Sequence, residues 1–168
     1  MTAPTLGDGV VVLDAFVPED AAAHLAGEDE EHARRFGWWP QRSTEAMVAA
    51  FIERAREQWA TGGRQRPLAV RDAATGELVG GCEIRLPAPG FAELSYWTFP
   101  AYRRRGFASR ALALACRYAD KELGVERAEL LIEPDNAASL AVARRAGFVR
   151  VGEESDDRGR RVVRFRRR

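Results

Sequence analysis

Tyr96-Trp97-Thr98-Phe99-Pro100-Ala101-Tyr102-Arg103-Arg104-Arg105-Gly106-Phe107-Ala108 is the stretch whose reading decides the fold. Residues 96–99 are aromatic or β-branched and suit a strand. Pro100 stops that strand, and Arg103 to Phe107 make a tight turn rich in Arg and Gly. From Ala108 the apolar positions Ala111, Leu112, Ala115, Ala119 and Leu123 recur on one helical face, and Gly124 ends the helix. A strand that enters a glycine turn and leaves as a helix aims backbone N–H groups inward as an anion nest. The helix start adds unpaired donors and partial positive charge, which together favour a phosphate or pyrophosphate. Gly106 permits a positive φ or a close approach that a Cβ would forbid. The stretch is neither the GxxxxGK[ST] phosphate loop nor GxGxxG.

Working outward, residues 10–16 form a β-branched first strand, and Pro18-Glu19-Asp20 starts a helix to about Leu25. An acidic run, Glu28 to Glu31, leads to a loop at Phe36-Gly37-Trp38-Trp39-Pro40. Ser43 opens a helix to about Ala60 with Met47, Val48, Phe51, Ile52, Ala55 and Trp59 at helical spacing, closed by Gly62-Gly63. Strands at 67–71, 78–86 and 92–99, with a turn at 72–76, predict an antiparallel meander. Beyond the 108–123 helix come a strand at 126–132, a helix at 135–146, and strands at 148–153 and 161–165 around a turn at 156–159. A strand–helix–strand unit of this length pairs its strands in parallel. The expectation is an α/β (α+β) fold in a single domain over residues 1–168. Its mixed central sheet has about seven strands, parallel at the fourth and fifth, and four helices flank it.

Composition excludes several classes. The chain has 168 residues, 46% hydrophobic and 30% charged, with net charge +1, so no global field steers nucleic acid or membrane. Lys121 is the single lysine among 26 basic residues, so arginine-rich patches carry little weight as evidence. Cys82 and Cys116 are in no metal or redox spacing and read as a reduced buried pair. There is no signal-peptide pattern and no run of roughly 18 apolar residues, so cytoplasm is the default expectation. The tail from Arg161 to Arg168 is basic, but Val162, Val163 and Phe165 alternate within it as in a strand.

The central stretch also resembles a family. Arg103-x-x-Gly106-x-Ala108 is similar to the [QR]-x-x-G-x-[GA] signature of the GNAT superfamily of N-acetyltransferases. Glu93 to Trp97 resembles that family's fourth strand. Pro134-Asp135-Asn136-Ala-Ala-Ser139 followed by Gly147-Phe148 resembles the N-x-x-S…G-F block of the Rim-type subgroup, which acetylates ribosomal-protein N-termini. The likeness runs over about residues 8–166. It implies a GNAT fold with the fourth and fifth strands splayed, and acetyl-CoA as cosubstrate, with no metal. By that resemblance Arg103, Arg104, Arg105, Gly106, Phe107 and Ala108 wrap the pyrophosphate through main-chain N–H groups. The backbone of Trp97, Thr98 and Phe99 pairs with the pantetheine arm. Asn136 bonds the arm from the other side, although Asn is also among the best helix caps. Ser139 lies near the sulfur.

Acetyl transfer to an amine needs a deprotonated amine, donors for the oxyanion, a departing thiolate and two substrates held together. The oxyanion donor is expected on a main-chain N–H near Trp97 or Thr98. Strand alternation puts Glu93, Ser95 and Trp97 on one face, which nominates Glu93 as base, with Glu83 second and His24 and His32 behind them. The resemblance implies a tyrosine proton donor four residues before Gly147, but Ala143 stands there, a departure shared by much of the Rim-type subgroup. Ser139 or water is the substitute. Ser95 and Arg104 stand where Gly is common. The acceptor, a protein N-terminus or a small amine, is expected between the first helices and the last strands, near Phe36, Trp38, Trp39 and the acids Glu28, Asp29, Glu30 and Glu31. Two other readings stay open, a non-catalytic acyl-CoA-binding module and a basic domain contacting RNA or ribosomes; a homodimer is compatible with the sequence but not specified by it.

Overall fold

The strand before the arginine turn runs Phe91–Thr98 (β5) and the helix after it runs Phe107–Glu122 (α4) in the computed structural model, which describes residues 2–168. Before them lie β1 (Leu6–Gly7), β2 (Val11–Asp14), α1 (Asp20–Gly27), α2 (Glu30–Phe36), α3 (Glu45–Thr61), β3 (Gln65–Asp72) and β4 (Leu78–Ala88). After them lie β6 (Arg127–Ile132), α5 (Ala137–Arg145), β7 (Val149–Ser155) and β8 (Arg161–Arg167). The strands make one mixed sheet in the order β1-β2-β3-β4-β5-β6-β8-β7. The meander from β2 to β5 is antiparallel as expected, and the β5–β6 pair is parallel.

Two elements exceed the sequence expectation. β1 is a two-residue pairing of Leu6 with Leu13 and Gly7 with Val12, too short for any periodicity to announce. α2 replaces the acidic run and part of the expected loop. Its signals are local: Asp29 caps it by accepting from His32 N at 2.8 Å, Glu30 and Glu31 fill the first turn, Arg34 and Arg35 the last, and Gly37 closes it at φ +85°.

Apolar side chains bury on both sheet faces. α4 turns Ala111, Leu112, Ala115 and Ala119 onto β2, β4 and β5, with Leu13, Leu68, Ile84, Leu94 and Leu130 beneath. On the opposite face Val48, Ile52 and Ala55 of α3 pack with Phe16, Ala69, Leu78 and Phe99. Asp20, 5% exposed at the start of α1, binds Arg71 of β3 at 2.8 Å, and Arg71 also holds Asp14 at 2.8 Å, so α1 is fixed to the sheet by ions as well as oil. The β5–β6 ladder has only three rungs, Phe91–Arg127, Ala92–Ala128 and Glu93–Glu129. Beyond them the strands part.

Asp29 serves α2 twice, as cap and as partner of Arg103 at 2.9 Å. Asp29→Ala is therefore expected to cost about 1–2 kcal/mol in urea unfolding. Burial opposes the ionised Asp29 carboxylate, but the His32 N–H and Arg103 outweigh it and lower its pKa. Its contribution is present above the ordinary value of 3.8 and disappears as pH falls through the lower folded value, so the parent–variant difference should vanish in strong acid.

Candidate active site

The turn after β5 is left-handed and poor in backbone hydrogen bonds. Arg104 adopts φ +63° and Gly106 φ +84°, so the backbone coils left-handed twice within three residues. Among the described residues, no backbone hydrogen bond is made by the N–H groups of Arg104 through Ser109; the next, Arg110, is the first to find Gly106 O, at 3.2 Å. Six consecutive free donors thus meet at the start of a sixteen-residue helix. Two of the three arginine side chains are occupied elsewhere. Arg103 donates through Nε to Thr98 O at 3.2 Å and pairs with Asp29 and Glu31. The Arg105 guanidinium lies 5.0 Å from the Phe107 ring centroid and 3.4 Å from Asp72. The resemblance implied main-chain donors at residues 103–108; the Arg103 N–H instead donates to Pro100 O at 3.3 Å, and the run left without backbone partners is Arg104 to Ser109.

The open edge of β5 has a defined register. Phe99 N–H donates to Val79 O at 2.9 Å, and Thr98 opposes Gly80. In an antiparallel ladder this alternation turns the backbones of Phe99, Trp97 and Ser95 toward β4, and those of Thr98, Tyr96 and Leu94 toward the gap left by β6. The expectation that Trp97 and Phe99 offer main-chain groups to a ligand arm is therefore corrected. The backbones of Thr98 and Tyr96 are the ones that face the gap. Phe99 is 2% exposed and packs against Gly27, where a Cβ would stand 2.5 Å from its ring.

The far wall is α5. Asn136 Oδ1 caps it by accepting from Ser139 N at 3.1 Å, so the helix-cap reading holds and the amide nitrogen is left for other partners. The Tyr96 hydroxyl donates to Ser139 O at 3.2 Å, spanning the parted strands. Burial pushes the Tyr96 phenol up to about 12. Ala143 is fully buried on the same helix.

On the opposite face of β5, Trp97 is the hub of an aromatic group. Its ring lies 5.5 Å from Phe36, 5.8 Å from His32, 6.2 Å from His24 and 6.4 Å from both Phe16 and Phe51. The ring rests on Gly81, where a Cβ would come within 2.2 Å of it. Glu93 lies on this face four residues away, about 13 Å by strand rise, on the last paired rung. Arg85 holds both Glu93, at 3.1 Å, and Glu83, at 3.0 Å. The β7–β8 turn closes the side: Arg160 binds Glu133 at 2.6 Å and Arg35 O at 2.8 Å, and Arg35 binds Glu133 too. A shallow groove of about 330 Å³ lined by Arg34, Glu133, Pro134, Asp135, Arg160 and Arg161 adjoins it. Sequence spacing could not show this knot, because its members lie 98 and 27 residues apart along the chain.

Comparison with known proteins agrees with this geometry. The family model described as Acetyltransferase (GNAT) domain matches residues 11–149, and the chain belongs to that family. It is thus an acyltransferase that draws on acetyl-CoA. Among solved structures, Mycobacterium smegmatis RimJ in complex with CoA-disulfide is 23% identical with TM-score 0.81, covering 99% of this chain and 90% of that one. RimL, the ribosomal L7/L12 alpha-N-protein acetyltransferase in complex with coenzyme A, is 17% identical with TM-score 0.82, covering 98% and 97%. The ribosomal-protein-S5-alanine acetyltransferase of Vibrio fischeri is 16% identical with TM-score 0.79, covering 98% and 96%. No curated protein matches the chain.

Burial lowers the His32 pKa from 6.5 to about 4. Folding therefore gains from a neutral His32 above pH 6.5 and loses that gain as pH falls to about 4, where the folded form also protonates. Urea midpoints measured across this window should decline in the parent and flatten in His32→Phe.

Proposed function

We propose that the chain is an N-acetyltransferase acting on a primary amine, a protein N-terminus or a small amine, by direct attack within a ternary complex. The observation that carries this reading is the row of free N–H groups from Arg104 to Ser109 at the end of the open edge of β5. A coenzyme's pyrophosphate fits the first and its pantetheine arm the second. RimJ and RimL, which share the fold, were solved with coenzyme A derivatives, and this supports the assignment. The N–H groups of Arg104 to Ser109 hold the phosphates, Thr98 and Tyr96 bond the arm from one side, and the Asn136 amide bonds it from the other. The N–H of Tyr96 or Thr98 is the oxyanion donor. Ser139, with the Tyr96 hydroxyl beside it, stands near the sulfur to lend the thiolate a proton. Glu93, the base expected from the sequence, is held by Arg85 on the last paired rung.

The acceptor enters from the Trp97 face, between α2 and the β7–β8 turn. We take residues 1–168 to work as one catalytic domain in the cytoplasm; no helix among the described residues is long and apolar enough to cross a membrane. Calorimetry with acetyl-CoA tests the reading. The parent should bind. Gly106→Val should weaken binding at least ~30-fold, about 2 kcal/mol, because a β-branched residue resists φ +84°. Arg105→Gln should change affinity less than ~3-fold, since that side chain already leans on Phe107 and Asp72. A folded parent that ignores acetyl-CoA would overturn the assignment.

A further inference from the structure

Five buried side-chain nitrogens find no hydrogen bond among the described residues, and four of them lie in one place: His24 Nδ1, His32 Nδ1, Trp38 Nε1 and Trp97 Nε1. All four rings belong to the aromatic group on the Trp97 face of β5. Buried polar atoms are normally paired; His24 Nδ1 has Glu28 Oε1 3.3 Å away, so the three others, on His32, Trp38 and Trp97, mark a place where a ligand supplies the partners, and Nε2 of His24 is the atom left to take a proton. Both histidines are 5% exposed, while Phe36, Trp38 and Trp97 are half-buried and form the rim above them.

The two histidines differ in what they can do with a proton. His32 is walled by rings, and its imidazole is held neutral. His24 has a carboxylate beside it: Nδ1 stands 3.3 Å from Glu28 Oε1, without the alignment of a hydrogen bond. The charged and titratable groups around His24 are few. Asp20, one turn earlier on α1, is consumed by Arg71. From α2 come His32 and Asp29, and from the β5–α4 turn comes Arg103, which is bound to Asp29. α3 and β5 present only Phe51, Trp97 and Phe99. Glu28 is thus the carboxylate available to stabilise an imidazolium at His24.

We infer that His24, backed by Glu28, takes the proton from the acceptor's ammonium, and that this pair is the general base of the reaction assigned above, on which the inference rests. The ammonium gives one proton to the imidazole. The freed amine attacks the thioester carbonyl carbon, and the C–S bond breaks. The adduct's second N–H proton goes to the departing thiolate, and the imidazolium returns its proton to solvent. The products are an amide and a thiol, with no change of oxidation state. The ring faces of Trp97, Trp38 and Phe36 suit the ammonium as it arrives, and the indole N–H groups suit an oxygen next to it.

The test pools hexapeptides with free amino termini, adds tyramine and spermidine, and carries the best acceptor of the parent into His24→Gln, Glu28→Gln and Glu93→Gln. At pH 7, kcat should fall by ~100-fold or more in His24→Gln and ~10-fold in Glu28→Gln, with acetyl-CoA affinity unchanged. Both losses should shrink toward pH ~10, where the amine deprotonates unaided. Glu93→Gln should lose less than either. A folded His24→Gln with parental kcat at pH 7, a loss that pH does not rescue, or a rescuable loss confined to Glu93→Gln overturns the inference while leaving the transferase intact. Should His24→Gln fail to fold, Glu28→Gln decides by the same pH criterion. A parent that binds no acetyl-CoA, or binds it and acetylates nothing, removes the transferase reading, and the inference falls with it.

Discussion

Among the described residues, three rungs of parallel pairing are the only ladder between the two halves of the sheet. Everything functional follows from where that ladder stops. Past Glu93 and Glu129 the facing edges of β5 and β6 carry backbone groups that a longer ladder would have consumed. β6 does not unravel, because its other edge is fully engaged by β8 from Ala128 to Ile132. β5 is steadied likewise by β4 as far as Thr98. Each strand is anchored from behind, and the gap between them is held as a fixed feature. Tyr96 struts it from the α4 side by bonding to α5. Trp97 fills the opposite side.

Large rings next to a strand gap require small residues behind them. Gly80 and Gly81 lie under Trp97, and a Cβ on either would stand about 2.1–2.2 Å from its carbonyl oxygen or its ring. Gly27 does the same for Phe99. Gly81 in β4 and Gly27 at the end of α1 thus leave room for an aromatic layer to sit directly on the sheet, while Gly80 clears the Trp97 backbone. That layer is stiff, and it brings imidazole and indole groups to the gap without exposing them widely to water.

Much of this was legible in sequence because it is written locally. The helical spacing of Val48, Ile52, Ala55 and Trp59, the glycines that close helices, and the strand–turn–helix around Gly106 each occupy one contiguous stretch. The pairing of Arg103 with Asp29 and of Arg105 with Asp72, by contrast, joins distant segments. α2 was legible in principle from Asp29, its acids and Gly37, but the acidic run drew attention to charge rather than to capping. The aim of the Trp97 backbone was not legible, since it depends on which rung of β4 it meets. Nor was the Arg35–Glu133–Arg160 knot, or the meeting of His24 and His32 with Trp97, because these are products of tertiary packing between distant segments.

Arg103 gives the molecule one further property. It belongs to the anion turn, yet its guanidinium grips Asp29 and Glu31 at the start of α2. The turn after β5 and the helix that walls the opposite face therefore share one joint. By thermodynamic reciprocity, whatever free energy one ligand spends in seating that joint the other ligand does not have to supply. Arg103 is thus a mortise in the fold: while its ion pairs hold, the turn after β5 and the start of α2 cannot be repositioned independently.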